Sequence, residues 1–348
     1  MATTLNSSLI ITFSAAALSF GLTAQSPPPQ PTTGPGGSNY IHTGVTTLGP
    51  YYPTGKQGND VFKYYIYQPT SPKPAVAPVV LFLHGANANY PDTYNRWMYH
   101  IVKKGYTVIW AQYQVIFSSE RDYYSNALSS YADALNRIQS NTSWVQPQRD
   151  QFGTMLTGFV GHSLGSYVGL VLAGRSTESG SPIPVPRGYF SVGAGFAVAQ
   201  TDYRGIPAST KIVFLVGADD STVCKSSTEL MWNLLPQIPP ENKDFLVMPS
   251  DLRGNPDIIA DHFFPITVPT PPPAMDVRDF YGTWKLSVAT MDCAMRGTSC
   301  EYALSNGGAS QVSMGNWSDG TPVTTLQWAA NPGSVTLPCE ASSRNPIR

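Results

Sequence analysis

The chain has 348 residues, of which 42% are hydrophobic and only 12% charged, with a net charge of −1. That length and apolar content suffice for one large domain or two modest ones. No basic tract or stripe runs along the chain, which excludes nucleic-acid binding as a class. The charged share is roughly half that of an average soluble protein, and the 31 prolines and 30 glycines fit an exported protein better than a cytosolic one.

Residues 9–22 form an apolar run too short to span a bilayer comfortably, followed by Thr23-Ala24-Gln25 with a small residue where a signal peptidase cuts. Residues 1–24 therefore read as a secretory signal. The first basic residue is Lys56, so the usual positive flank is missing; a buried helix or an uncleaved anchor are the competing readings. Residues 25–39 are rich in Pro and Gly, exclude helix and central strand, and read as a flexible or polyproline-like spacer. The globular part is expected from residue 40 to 304, with a poorly defined extension over 305–348.

Residues 61–67 are rich in strand formers and predict an early, partly exposed strand. Residues 79–83, Val-Val-Leu-Phe-Leu, are continuously apolar and end in His84-Gly85, as a buried parallel strand would. A helical pattern over 91–104 stops at Gly105, and a strand follows at 106–110. Tyr124, Leu128, Tyr131, Leu135 and Ile138 recur at three- and four-residue spacing and predict one face of a helix over 119–140. Further strands are expected at 155–160, 188–192, 211–216 and 244–248. Alternating strands and helices imply a mostly parallel sheet flanked by helices, an α/β fold. Residues 268–273 make a second proline-rich break, and a helical stripe from Val277 to Met295 reads as core packing. Cys224, Cys293, Cys300 and Cys339 lack zinc-finger spacing; an even count in an exported chain allows two disulfides in any of three pairings. Cys293 and Cys300 stand close enough to close a small loop.

The strand at 155–160 runs into Gly161-His162-Ser163-Leu164-Gly165 and then into a helical segment. A Gly-x-Ser-x-Gly turn between strand and helix is the context a nucleophile elbow needs. Here the chain resembles the α/β-hydrolase superfamily, and is similar to exported, cap-less serine esterases: cutinases, polyester hydrolases, dienelactone hydrolases and chlorophyllase-like enzymes. The resemblance covers roughly residues 61–295. It implies an α/β-hydrolase fold and a Ser-His-Asp triad in the chain order Ser163, Asp220, His262. Of five histidines, His42 precedes the sheet, His84 sits in a turn, His100 lies in a helix and His162 points away from the serine. His262, after the last strand, remains as the base. Gly217-Ala218-Asp219-Asp220 offers two acids; the family's Gly-x-x-Asp pattern selects Asp220, with Asp219 as the alternative. The oxyanion donors implied are the N–H groups of Leu164 and Ala86. Asn87, Asn89, Tyr90, Trp110 and Tyr113 follow two strand ends and are candidates to line the substrate pocket, Trp110 as its aromatic wall. Only a short loop separates Phe196 from Lys211, which leaves no room for a large cap there.

The function so implied is that of a secreted or periplasmic serine carboxylic-ester hydrolase, active as a monomer on small or polymeric esters, without metal or organic cofactor and without stable membrane insertion after signal cleavage. A lipase or polyester hydrolase, or a non-catalytic binding protein on a hydrolase scaffold, are the alternatives.

Overall fold

A computed structural model of the chain describes residues 25–115, 120–198, 202–267 and 275–341. The expected signal, residues 1–24, and the proline-rich break, residues 268–273, lie outside these. The apolar runs of the sequence become neighbours in one sheet. Its strands are β1 (Gly44–Tyr51), β2 (Tyr64–Thr70), β3 (Val79–Leu83), β4 (Thr107–Ala111), β5 (Thr157–His162), β6 (Gly188–Val192), β7 (Lys211–Gly217), β8 (Lys243–Met248) and β9 (Gln327–Ala329). The order across the sheet is β1-β2-β4-β3-β5-β6-β7-β8-β9. The six strands from β4 to β8 are mutually parallel; β1, β2 and β9 run antiparallel to their neighbours at the two margins. β3 to β6 are buried throughout, as strands covered on both faces must be.

Helices cover both faces. α1 (Asn95–Lys103) and α5 (Trp284–Arg296) pack with Phe82, Trp110, Val160, Phe190 and Leu246 in one apolar layer. α2 (Glu120–Ser140), α3 (Leu164–Arg175) and α4 (Ser226–Asn233) pack with Leu81, Ile109, Phe159 and Phe214 in the other. Successive strand residues thus feed alternate layers, which is the period-two rule of the pleat. Several expected boundaries move. The strand expected over 61–67 is β2 and begins at Tyr64, because Asp60–Phe62 is a 3₁₀ turn capped by the Asn59 side chain. The helix expected over 91–104 splits into a 3₁₀ turn, Pro91–Tyr94, and α1. The core stripe from Val277 starts as a π-helical turn, Arg278–Thr283, before α5. Among the described residues no helix is long and apolar enough to cross a membrane.

Two segments differ from expectation in kind. Residues 25–39, expected as a spacer, lie against the domain. The Pro35 carbonyl accepts from His100 Nε2 (2.8 Å), the Gly34 carbonyl from Lys104 Nζ (2.8 Å), and the Pro29 carbonyl from Tyr281 Oη (3.3 Å). Proline contributes an acceptor but no donor, so side chains of α1 and of the turn before α5 can satisfy this stretch without a ladder. The extension after residue 304 is also tied down. Asp244 of β8 is buried, and its carboxylate accepts from the N–H groups of Ser305 (3.1 Å) and Asn306 (3.2 Å), from Gln311 Nε2 (2.7 Å) and from Trp328 Nε1 (2.9 Å). Asp251 collects Trp317 Nε1 (3.2 Å) and the N–H and hydroxyl of Thr324 (both 2.9 Å). Two disulfides are present, Cys293–Cys300 and Cys224–Cys339; the second joins positions 115 residues apart and fastens the end of the extension next to α4.

A buried carboxylate with four donors is costly to remove, because the donors are left without partners. Asp244→Ala is expected to lower unfolding free energy by about 3 kcal/mol and to open residues 305–341 to limited proteolysis. A urea midpoint and protease pattern unchanged from the parent would show that the extension is held by its apolar contacts instead.

Candidate active site

The polypeptide passes from β3 through α1 to β4 on one side, then through α2 to β5 on the other side of β3. The carboxyl ends of β3 and β5 therefore diverge at a topological switch point, where open α/β sheets form their clefts. Ser163 sits at that point, between the last residue of β5 and the first of α3. Its backbone has φ 55° and ψ −122°, a strained conformation for a residue with a side chain. Tight packing holds the turn. A Cβ at Gly161 would stand 2.6 Å from the Gly165 carbonyl oxygen, and one at Gly165 2.2 Å from that of Leu83. The Ser163 N–H donates to the Val192 carbonyl (3.0 Å), and Ser166 Oγ donates to the Gly161 carbonyl (2.7 Å).

Three side chains from distant parts of the chain meet here. Ser163 Oγ lies 2.9 Å from His262 Nε2, and His262 Nδ1 lies 2.7 Å from Asp220 Oδ2. Asp220 Oδ1 accepts the N–H groups of Thr222 (2.9 Å) and Val223 (3.0 Å), which orients the carboxylate. A carboxylate can only accept, so His262 carries its proton on Nδ1 and offers Nε2 to the serine hydroxyl. Ser163, Asp220 and His262 are all nearly inaccessible to solvent. Asp219 turns away and accepts from Ser250 Oγ, while Asp261 Oδ1 caps its own loop through the Phe263 N–H (2.9 Å).

The N–H of Leu164 opens α3 directly beside Ser163, and Ala86 lines the same cavity as Ser163. Neither N–H has a hydrogen-bond partner among the described residues. The cavity has a volume of about 200 Å³ between Ala86, Ala88, Phe196, Val223, Phe263 and Ile266, and among the described residues no Asp, Glu, Lys or Arg lines it. Phe196 and Phe263 stand half exposed at its mouth.

The side chains expected along this pocket lie elsewhere. Trp110 is fully buried in β4, stacked 5.3 Å from His84 and facing the layer under α1 and α5; the pleat points it into the core and away from the cleft. Tyr90 is mostly exposed, with Lys63 Nζ 6.0 Å over its ring. Asn87 adopts φ 62° and donates its N–H to Gln114 Oε1 (2.9 Å). None of the three lines the cavity. The apolar residues that do, Phe196, Val223, Phe263 and Ile266, carry a sequence signal only in being apolar within loops that follow strand ends.

His84 and His162 flank the site but are not part of this hydrogen-bonded series. His84 is sandwiched between Trp110 and Tyr113, and burial pulls its pKa down to about 4. His162 is held well below the ordinary imidazole range, first by burial and then by the neighbouring His262. No family model matches the chain, and no curated protein matches it.

These depressed values make acid a denaturant. An imidazole whose folded pKa lies below its unfolded value of about 6.5 lets the unfolded chain take up protons first. The stabilisation is complete above pH 6.5 and is lost as pH falls toward 4. Each such histidine contributes about 1.4 kcal/mol per pH unit within that window, and His100, buried and lowered to about 3, adds to the effect. Urea midpoints are expected to fall steeply from pH 6 to 4.5. A level profile down to pH 4.5 would mean that these rings are charged in the folded protein.

Proposed function

We propose that the chain is an exported serine carboxylic-ester hydrolase of the α/β-hydrolase superfamily. The observation that carries this is the single hydrogen-bonded series from Ser163 through His262 to Asp220, set on a strained strand-to-helix turn. A serine hydroxyl is a weak nucleophile until a base takes its proton. His262 Nε2 is at hydrogen-bond distance to do so, and Asp220 holds the ring in the required tautomer and offsets the charge that forms on it. The strand-to-helix context and the mostly parallel sheet are compatible with the superfamily, and two disulfides fit an oxidising compartment.

In the proposed reaction Ser163 Oγ attacks the ester carbonyl as His262 accepts its proton. Negative charge gathers on the carbonyl oxygen and is met by the N–H groups of Leu164 and Ala86, a type of donor each worth about 3 kcal/mol in a transition state. The tetrahedral adduct collapses, His262 passes the proton to the departing alkoxide, and the acyl group stays on Ser163. Water then attacks the acyl-enzyme with His262 again as base, releasing the acid and restoring the serine.

The cavity dimensions bear on the acyl group. An apolar cavity of roughly 150 Å³ accommodates benzene, so about 200 Å³ suits a short aliphatic or single-ring acyl chain. A carboxylate buried there would find no cation. The half-exposed Phe196 and Phe263 favour, as a second reading within the class, action on apolar polymeric or lipid esters.

Two results test the proposal. Wild-type protein is expected to react with a fluorophosphonate probe and to hydrolyse p-nitrophenyl butyrate, whereas Ser163→Ala does neither, with kcat reduced at least about 10³-fold. An unlabelled wild type would instead identify a non-catalytic binding protein. Across acyl groups, butyrate to hexanoate and benzoate esters are expected to exceed laurate and hemisuccinate esters at least about tenfold in kcat/KM. Fastest turnover of laurate would show that the acyl chain does not enter this cavity.

A further inference from the structure

His162 and Tyr94 have no part in the proton transfers above, yet both are buried against them. The Gly85 N–H donates to Tyr94 Oη (3.0 Å), Tyr94 Oη lies 2.7 Å from His162 Nδ1, and His162 Nε2 lies 3.0 Å from the main-chain carbonyl of His262. The proton positions follow. The main-chain carbonyl of His262 can only accept, so the hydrogen of neutral His162 is on Nε2 and its Nδ1 accepts from the Tyr94 hydroxyl. Burial supports this neutral arrangement by raising the Tyr94 pKa and lowering that of His162.

The series joins the two halves of the site. At one end is Gly85, which precedes the Ala86 N–H. At the other is the backbone of the residue that serves as base. The same short turn also holds the far side of the His262 loop, because the Thr93 carbonyl accepts the Thr267 N–H (2.9 Å). Space is as restricted as the hydrogen bonding. A Cβ on Gly85 would approach His162 Nδ1 to 3.0 Å, Tyr94 Oη to 3.2 Å and Ser163 Cβ to 3.3 Å. The His162 and His262 rings are centred 5.0 Å apart.

We propose that Tyr94 and His162 are positioning residues: through the Tyr94 hydroxyl and the Nε2–H tautomer of His162, they fix the His262 backbone relative to the Gly85-Ala86 turn. Both also border the cavity beside Ser163, but they exchange no proton in the reaction. The inference rests on Ser163, His262 and Asp220 forming the hydrolytic site. Its consequence is kinetic, because loss of alignment between base and oxyanion donors affects the transition state more than substrate binding.

The test uses the full chain with His162→Leu, His162→Gln and Tyr94→Phe. His162→Leu and Tyr94→Phe are expected to lower kcat for p-nitrophenyl butyrate by about 10- to 100-fold with KM within about twofold. His162→Gln, whose amide N–H can replace the Nε2 donor, is expected to recover most of the loss seen with Leu. In ¹⁵N-histidine-labelled wild-type protein, long-range proton–nitrogen correlations are expected to show His162 as the neutral Nε2–H tautomer. Wild-type kcat in His162→Leu, a change confined to KM, or Gln no better than Leu would overturn the inference. If the variants do not fold, the tautomer decides: Nδ1–H overturns it and Nε2–H supports it. A wild type that neither hydrolyses esters nor takes up fluorophosphonate defeats the hydrolase reading itself, a result distinct from any of these.

Discussion

The 2.9 Å contact between Ser163 Oγ and His262 Nε2 joins residues ninety-nine positions apart, and it depends on the register of a parallel sheet. Leu83 pairs with Gly161, Gly161 with Ser191, Val192 with Leu215, and Met248 with Gly217. These pairings bring the carboxyl ends of β3, β5, β6, β7 and β8 to one edge, so that short loops can deliver a serine, a carboxylate and an imidazole to one place. A two-residue slip in any strand would displace its loop by about 7 Å, more than twice the length of a hydrogen bond. Buried, continuously apolar strands resist such slips because both faces are already committed to packing.

The loops themselves are secured from outside the sheet. Asp220 is followed by Thr222 and Val223, whose N–H groups it accepts, and then by Cys224, whose disulfide to Cys339 ties the acid-bearing turn to the end of the extension. Asp244 and Asp251, on and just after β8, gather the intervening residues of the extension by their side chains. The extension thus behaves as an integral margin of the domain. It adds β9 to the sheet edge and covers main-chain groups that an unpaired β8 would expose.

How much of this was readable in the sequence varies with how local the cause is. The elbow was legible because its determinants, two glycines around a serine between a strand and a helix, lie within a few residues. His262, which the structure brings to Ser163, emerged because histidines are few, and Asp220 was preferred to Asp219 only through the spacing of the family that the sequence resembles. Trp110 misled: residues at strand ends can face the cleft or the core, and only the pleat phase, set by Phe82 and Val108 beside it, directs this ring inward. The cavity walls come from Phe196, Val223, Phe263 and Ile266, on three separate loops whose mutual approach no periodicity encodes. The proline-rich segment and the extension were illegible for a related reason. Each is held by isolated hydrogen bonds to single side chains, His100, Lys104, Asp244 and Asp251, and such contacts leave no repeating mark.

Three imidazoles gather around one serine, and their surroundings give them different work. His84 lies between two aromatic rings and has only a main-chain oxygen beside it. His162 is occupied at both nitrogens by a tyrosine hydroxyl and a carbonyl. Neither faces a carboxylate, and burial keeps both neutral. Of the three, His262 has an acid at hydrogen-bond distance, and among the described residues no other charged side chain lines its cavity. In a low-dielectric site a single opposite charge counts for more than it would in water, and of the three rings only His262 has one at hydrogen-bond distance. What distinguishes three chemically identical rings is therefore their contacts: one meets a carboxylate, and the other two meet only main-chain carbonyls and a tyrosine hydroxyl.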